Sequence, residues 1–367
     1  MKPAVLIIDN SMYETGAFKA IVNESNHLSE KYFFHFFISK GSKNISVLKK
    51  CGFPVTEIGF LEISKSLRTV LYLPVLIRNA IIIRKYLKRN KISVLHVNDI
   101  YNLTGCVVKM LIPSIKLVYH VRLLKNSYIK LFYRFFCKMV KWKADSIICV
   151  SYAVLKDIGG TPKAKVVYDG IVYSELLPAW NRLREPASAS FLYLANIVRG
   201  KGQEFALSAF AKLSNEYPDL KMSFVGAVTD MTFYDSLKSI VLKYKLEEKV
   251  WFKPQSDNVE NTYKSHDISL MFSESESFSM VSLESLYYGI PLIASDCGGP
   301  AEITNNGAYC LLVENRNIEN MYLAMKHAIT NAAELKEKAT GGKAYVRSVF
   351  NPAAGTLLQT DIYKPLL

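Results

Sequence analysis

The sequence has no C-x-x-C pair and no cluster of cysteine with histidine. Cys51, Cys106, Cys137, Cys149, Cys297 and Cys310 stand singly along the chain. That scatter excludes the usual zinc-site patterns and a disulfide framework, and it fits a reducing cytosol. Long apolar runs are also missing. The greasiest stretch, TVLYLPVLIRNAIIIRKYLKRN (69–90), is interrupted by Pro74 and Arg78 before 18 residues complete, so no transmembrane helix is expected. The opening MKPAVLIIDNSMYETG breaks at Asp9, too soon for a signal peptide, and reads as a first strand. Internal repeats and low-complexity blocks are absent. What remains is a chain of 367 residues, half of them apolar and 21% charged, which is globular composition. Its length exceeds one ordinary core and suits two domains of about 170 to 190 residues.

Acidic residues are scarce in one half only. Residues 1–180 carry 27 Lys and Arg against 11 Asp and Glu, a net of +16, whereas residues 181–367 carry 19 against 21, a net of −2. A basic half suits nucleic acid, an anionic membrane surface or a phosphorylated substrate, and charge alone does not choose among them.

Short β-rich runs alternate with helical periodicity. In the first half they are AVLIID, YFFHFFIS, ISVLHVN, IKLVYHV, DSIICVS and KVVYDGI; in the second they are SFLYLANI, KMSFVGA, VWFKP, DISLMFS, PLIAS and YCLLV. This βαβ rhythm predicts parallel sheets covered on both faces. A weakly periodic stretch at 178–190 reads as a linker. The expected class is α/β, with two doubly wound domains over 1–178 and 190–346 and a C-terminal helix at about 347–367 that packs back on the first. Ligand crevices are then expected at the carboxyl ends of the strands, facing each other across a cleft.

The residues after the strands carry the chemistry. Arg199-Gly200-Lys201-Gly202 opens a helix, where approaching backbone amides, the helix dipole and two cationic side chains suit a diphosphate. A solvated turn is the bland alternative. Gly226 and Pro254 end two further strands on the same side. The stretch SESESFSMVSLESLYYGIPLIASDCGGPAE (273–302) holds Glu276 and Glu284, eight positions apart. Ser279 as N-cap, Gly289 as stop and Pro291 beyond it predict a helix over 280–288, whose amides at Ser277, Phe278, Ser279 and Met280 open into the crevice. Stepping 100° per residue places Glu284 near the middle of an apolar arc of Met280, Val281, Leu283, Tyr287 and Tyr288. A carboxylate there requires hydrogen-bond donors, supplied by the protein or by a ligand.

In order, R-x-K-G (199–202), S-x-x-E-x-F-x-M-x-x-x-E-x-x-x-x-G-x-P (273–291) and G-G-x-x-E (298–302) resemble glycosyltransferase family 4, retaining and metal-independent enzymes of the GT-B fold. The resemblance extends through ADSIICVSYAVLKDI, VVYDGI, SVLHVND and LVYHVR, and so covers nearly the whole chain. It implies that Glu284 binds the ribose hydroxyls of a nucleoside diphosphate sugar, UDP-sugar favoured. Glu276 would bind the transferred sugar, and Lys201 the diphosphate. His120 would stand near the donor sugar or the acceptor hydroxyl, with Gly16 and Asp99 on the acceptor side. Glu276, His120 and Lys201 form the expected catalytic set. No metal or other cofactor is implied, because a cation and a helix N-terminus can offset the leaving diphosphate.

The chain departs from the family at several positions. Ala195-Asn196 replaces Gly-Arg, so a diphosphate-binding cation is missing unless Arg199 substitutes. Ser277 and Ser279 replace glycines, Asp169 replaces the turn asparagine, and Glu14-Thr15-Gly16 stands for a glycine-rich turn.

The segment RLLKNSYIKLFYRFFCKMVKWKAD (122–145) sets Lys125, Lys130, Arg134, Lys138, Lys141 and Lys143 among Phe132, Phe135, Phe136, Met139 and Trp142. A helix of this kind suits an anionic bilayer; a merely solvated basic face is the alternative. The expected enzyme is cytoplasmic, peripheral at the membrane face, and acts on a lipid-linked or oligosaccharide acceptor in cell-surface polysaccharide assembly. Competing readings are a catalytically weak nucleotide-sugar-binding protein, another GT-B enzyme such as an epimerase, and a basic membrane or RNA-binding protein. No nucleic-acid module is recognisable, so nucleic acid is not an expected partner.

Overall fold

The computed structural model describes residues 2–61, 70–127, 130–170, 188–254, 258–350 and 362–364. The chain forms two compact units, Met1–Val172 with Phe350–Leu367, and Tyr173–Val349.

The first unit runs β1 (Ala4–Asp9), α1 (Gly16–Leu28), β2 (Phe33–Ser39), α2 (Ile45–Lys50), β3 (Val55–Ile58), α3 (Tyr72–Arg89), β4 (Val94–Val97), α4 (Thr104–Leu111), β5 (Lys116–Val121), α5 (Lys130–Lys143), β6 (Ser146–Cys149), α6 (Tyr152–Asp157) and β7 (Ala164–Val166). Its seven strands pair in parallel in the order β3-β2-β1-β4-β5-β6-β7. Strands covered on both faces have no polar side to display, which is why AVLIID and KLVYHV read as continuous apolar runs. β3 was not among the expected strands. It is a short edge strand whose VTEI alternates weakly and is mostly half-exposed, so it offers no apolar run to notice.

The greasy stretch at 69–90 becomes α3. It buries Leu76, Ala80, Ile83 and Leu87 and leaves Leu73, Ile77 and Ile81 exposed. Among the described residues no helix is long and apolar enough to cross a membrane.

The second unit runs β8 (Ser190–Leu194), α7 (Gln203–Glu216), β9 (Lys221–Val225), α8 (Met231–Lys243), β10 (Val250–Lys253), α9 (Val259–Lys264), β11 (Ile268–Met271), α10 (Met280–Tyr288), β12 (Leu292–Ser295), α11 (Gly299–Ile303), β13 (Leu311–Val313), α12 (Ile318–Thr330) and α13 (Ala332–Val349). Its six strands, again parallel, lie in the order β10-β9-β8-β11-β12-β13. Phe191, Phe210, Phe224, Leu270 and Ile293 lie in its core.

In each sheet the strand order reverses once, between β1 and β4 and between β8 and β11. Connections leave these points in opposite directions, which opens a crevice at the carboxyl ends of the strands. The boundary between units falls at 172/173. The expected linker at 178–190 lies outside the described residues except for its last three. Helix α13 ends at Val349 in the second unit. Of the expected C-terminal helix, Ile362 and Tyr363 are buried in the first unit's core with Val5, Phe34 and Phe36, while 351–361 and 365–367 lie outside the described residues.

Candidate functional site

At the second unit's reversal, the loop after β8 meets the loop after β11. Gly200 and Gly202 take positive φ, +86° and +75°, so Lys201 sits on a turn that ordinary residues avoid. A Cβ on Gly202 would lie 1.9 Å from the Phe272 carbonyl oxygen, so this contact admits only glycine. The buried Tyr193 hydroxyl accepts from the Phe272 amide at 2.9 Å and donates to the Lys201 carbonyl. The Glu274 amide donates to Gly200 O at 2.9 Å. The two loops are therefore one braced unit, with Lys201 and Glu276 at its mouth.

Lys201 Nζ lies 2.6 Å from Glu276 Oε1, with the side chains 35% and 18% exposed. The Glu276 carboxylate raises the Lys201 pKa, while burial works against it, so the ammonium stays charged at any working pH. Glu276 is fixed from the other side by the GGxxE loop. Its amide donates to Cys297 O at 3.2 Å and its carbonyl accepts from the Gly299 amide at 2.7 Å. A Cβ on Gly299 would come within 2.4 Å of Phe278 Cα. The second glycine is thus needed for backbone to pack on backbone, and GGxxE serves to aim Glu276.

Helix α10 begins and ends where the sequence predicts, with Ser279 as N-cap and Gly289 as C-cap. Its buried face is different from the expected one. Ser282, Leu283, Ser285, Leu286 and Tyr287 are buried, and Glu284 is half-buried beside the partly exposed Met280, Val281 and Tyr288. Apolarity misled because two serines pack inward. Ser285 Oγ bonds to Ser269 Oγ at 2.9 Å, stitching α10 to β11.

One donor to Glu284 comes from Tyr263 in α9. The Tyr263 hydroxyl lies 3.1 Å from Glu284 Oε2 and 3.3 Å from the Val281 carbonyl. Burial drives the Tyr263 pKa well up, with the Glu284 carboxylate adding to it, so the phenol keeps its proton and donates. Neither Tyr263 nor Tyr193 was among the expected site residues. Both read as strand or helix core, and only the fold aims their hydroxyls.

The two serines separate. Ser279 has φ +79° and turns back, its hydroxyl accepting from the Ser282 amide at 3.3 Å and meeting Ser282 Oγ at 2.9 Å. It caps the helix instead of facing the crevice. Ser277 remains half-buried at the mouth, Phe278 is buried and Met280 partly exposed.

The flanking residues are less engaged. Asn196 is exposed, and its carbonyl accepts from Gln203 Nε2 at 2.9 Å. Arg199 is drawn to the start of α8, 3.7 Å from Asp230 and with its guanidinium carbon 5.4 Å from the Phe233 ring centroid, so it does not join Lys201 as the substitute cation. Gly226 is buried, and a Cβ there would lie 2.0 Å from Ala195 O; its role is strand packing. Pro254 is exposed beyond β10, at the sheet's outer edge, well along the sheet from the reversal.

In the first unit, Gly16 is exposed at the start of α1, behind the Thr15 N-cap. Asp99 is buried with φ +146°, a conformation unusual outside glycine, and its Oδ1 accepts from the Ile100 amide at 2.6 Å. His120 is fully buried, where a substrate-facing histidine was expected. It lies in a polar cluster centred on Arg122, which binds Asp169 Oδ1 and Oδ2 at 2.6 and 2.8 Å through Nη1 and Asn98 Oδ1 at 2.6 Å through Nε. Asn98 in turn donates to Asp9 Oδ2 at 2.6 Å. Glu24, His120 and Asp169 bring ligand-type atoms within 4.8 Å of one another, but the cation among them is already the Arg122 guanidinium.

The profile of a family described as glycosyl transferases group 1 matches residues 182–344. That match covers less than half of the chain and falls within its second unit. An uncharacterized glycosyltransferase of Haemophilus influenzae is 27% identical over 157 residues, 42% of this chain and 43% of that protein. The N-acetyl-alpha-D-glucosaminyl L-malate synthase of Bacillus anthracis is 31% identical over 116 residues, 32% of this chain and 29% of that enzyme. The chain thus spans less than half the length of either relative. Among solved structures, Anabaena HepE in complex with UDP-glucose superimposes with a TM-score of 0.82 at 16% identity, covering 99% of both chains. Sucrose-phosphate synthase from Thermosynechococcus elongatus gives 0.81 at 17% identity, covering 100% of this chain and 99% of that one. At such identities the likeness is one of fold, two Rossmann-like units of the GT-B type.

Proposed function

We propose that the chain transfers a glycosyl group from a nucleoside diphosphate sugar, UDP-sugar favoured, to a lipid-linked or polysaccharide acceptor, with retention and without a metal ion. The observation that carries this reading is the Lys201–Glu276 pair at 2.6 Å, held by two braced loops at the strand-order reversal. A cation and a carboxylate 2.6 Å apart neutralise each other until a ligand divides them. The diphosphate takes Lys201, joined by the first amides of α7 and α10, and the sugar hydroxyls take Glu276. Glu284 then receives the ribose hydroxyls while Tyr263 holds its other side.

As the C1–O bond breaks, the electron pair goes to the departing phosphate, whose growing charge Lys201 and the helix amides offset. The acceptor hydroxyl attacks C1 from the face the phosphate leaves, and its proton passes to the phosphate oxygen. A complex with UDP in one similar structure supports the choice of nucleotide.

Titration with UDP and with 2′,3′-dideoxy-UDP tests the ribose assignment. The native protein is expected to bind UDP more tightly, and Glu284→Ala to erase that preference. Tyr263→Phe removes one hydrogen bond to a charged group and is expected to weaken UDP about tenfold, roughly 1.4 kcal/mol, while leaving the dideoxy analogue unchanged. Equal loss with both nucleotides would show that the pair acts on something other than ribose.

The acceptor side is proposed to dock on an anionic bilayer through α5. Phe135 and Trp142 are 52% and 64% exposed, Arg134 and Lys138 are exposed beside them, and Lys143 Nζ lies 3.5 Å from the Trp142 ring centroid. Aromatics beside basic residues suit the headgroup layer. Co-sedimentation with vesicles containing phosphatidylserine is expected at low salt, to fall steeply by 0.5 M salt, and to drop several-fold in Phe135→Ser/Trp142→Ser. Equal binding to neutral vesicles, or retention of RNA instead, would count against it.

A further inference from the structure

The buried histidine of the first unit carries an unused nitrogen, and its surroundings fix what that nitrogen is. His120 Nδ1 lies 3.2 Å from Arg122 Nη2. A guanidinium has donors and no acceptor, so Nδ1 must accept, and a neutral ring then carries its proton on Nε2. Arg122 has no latitude to rotate away. Its Nη1 is committed to both oxygens of Asp169, its Nε to Asn98, and its Nη2 also lies 3.5 Å from Glu24 Oε2. On the ring's other side, His120 Nε2 is buried with no hydrogen-bond partner among the described residues. A buried polar atom left unpaired in a native fold calls for an explanation.

We propose that Arg122 is a positioning residue that locks His120 as the neutral Nε2–H tautomer, so that His120 serves glycosyl transfer as a hydrogen-bond donor to an oxygen and not as a general base. The oxygen is an acceptor hydroxyl, reached directly or through one buried water. The groups that face the ring agree on its neutrality. Arg122 after β5 opposes a second positive charge, and His96 from β4, whose ring centroid is 5.5 Å away, is itself neutral and supplies no counter-charge. Glu24 on α1, Asp99 after β4 and Asp169 after β7 favour charge, but they are spent on Arg122. Tyr363 from the C-terminal return engages His96 Nδ1. Burial and then the Arg122 charge push the His120 pKa well below its ordinary value, and burial with the Arg122 charge brings His96 to about 3.

The catalytic part of this proposal rests on the glycosyl-transfer reading; the tautomer does not. Full-length protein labelled with 15N-histidine, with His120 assigned by the resonance lost in His120→Gln, gives the tautomer directly from two-bond 1H–15N correlations. The expected pattern is a protonated Nε2 and an unprotonated Nδ1, unchanged from pH 8 to pH 5.5. A proton on Nδ1, or titration near pH 6.5, overturns the proposal.

Two variants separate positioning from mere structure. Arg122→Lys keeps a donor-only cation and is expected to keep the Nε2–H tautomer. Arg122→Gln adds an acceptor oxygen and is expected to yield a mixture of tautomers. Identical tautomers in both variants would overturn the role of Arg122. If a sugar is transferred, kcat/KM of the native enzyme is expected to show no acidic limb from His120, and one near pH 6.5 that disappears in His120→Gln would overturn the donor role. Absence of any transfer would fail the functional reading while the spectra still decide the tautomer.

Discussion

Lys201→Ala is expected to lower the transfer rate by about 10²–10³-fold, the cost typical of removing one preorganised charge-stabilising donor. The argument is positional. Lys201 sits between two positive-φ glycines, its carbonyl held by Tyr193, its ammonium 2.6 Å from Glu276. No reorganisation is required of it when charge develops on the leaving diphosphate. The cation considered as a substitute in this region, Arg199, is turned to Asp230 and Phe233, so it is not placed to mask the loss. Steady-state kinetics with a UDP-sugar, together with UDP binding, measure the effect. Glu276→Gln is the companion variant. It frees Lys201 for the diphosphate, so nucleotide binding holds or tightens while transfer falls. A loss of less than about threefold in Lys201→Ala would remove this lysine from the mechanism.

The second large effect is on stability. Arg122→Met is expected to destabilise the first unit by about 3–5 kcal/mol, because it strands the buried Asp169 carboxylate without its guanidinium. For a unit of this size that is a fall in Tm of about 6–20 °C. The side chains of Arg122 and Asp169 are 2% and 6% exposed, so water cannot replace the lost partner. The double variant Arg122→Met/Asp169→Leu removes both charges and is expected to recover most of the loss. Calorimetry on the single and double variants tests this, and a double variant as unstable as the single would show that packing, not charge, is at stake.

Arg122 shows how a motif can be read without its purpose. LVYHVR was legible as a strand end, and His120 within it as a candidate for chemistry. Nothing in the spacing says that Arg122 reaches Asp169, 47 residues on, or that the ring beside it is wholly buried. Glu284 makes the same point from the other side. The pattern located α10 and its caps, because capping chemistry is local. It misjudged which face was buried, because serines that pair with β11 look polar in sequence and behave as core in the fold.

The sequence by itself determined the two doubly wound units, most of their strands, and the loops that carry Lys201, Glu276 and GGxxE. These follow from apolar runs, glycine positions and residue order, all of which act over a few neighbours. The tertiary structure alone decided what those residues touch. It set Lys201 against Glu276 across 75 residues, gave Glu284 a donor in Tyr263, and turned Ser279 into a cap. It also drew Arg199 aside and sank His120 beside Arg122. Each of these is a contact between elements distant in sequence, fixed by which strand ends a parallel sheet brings side by side.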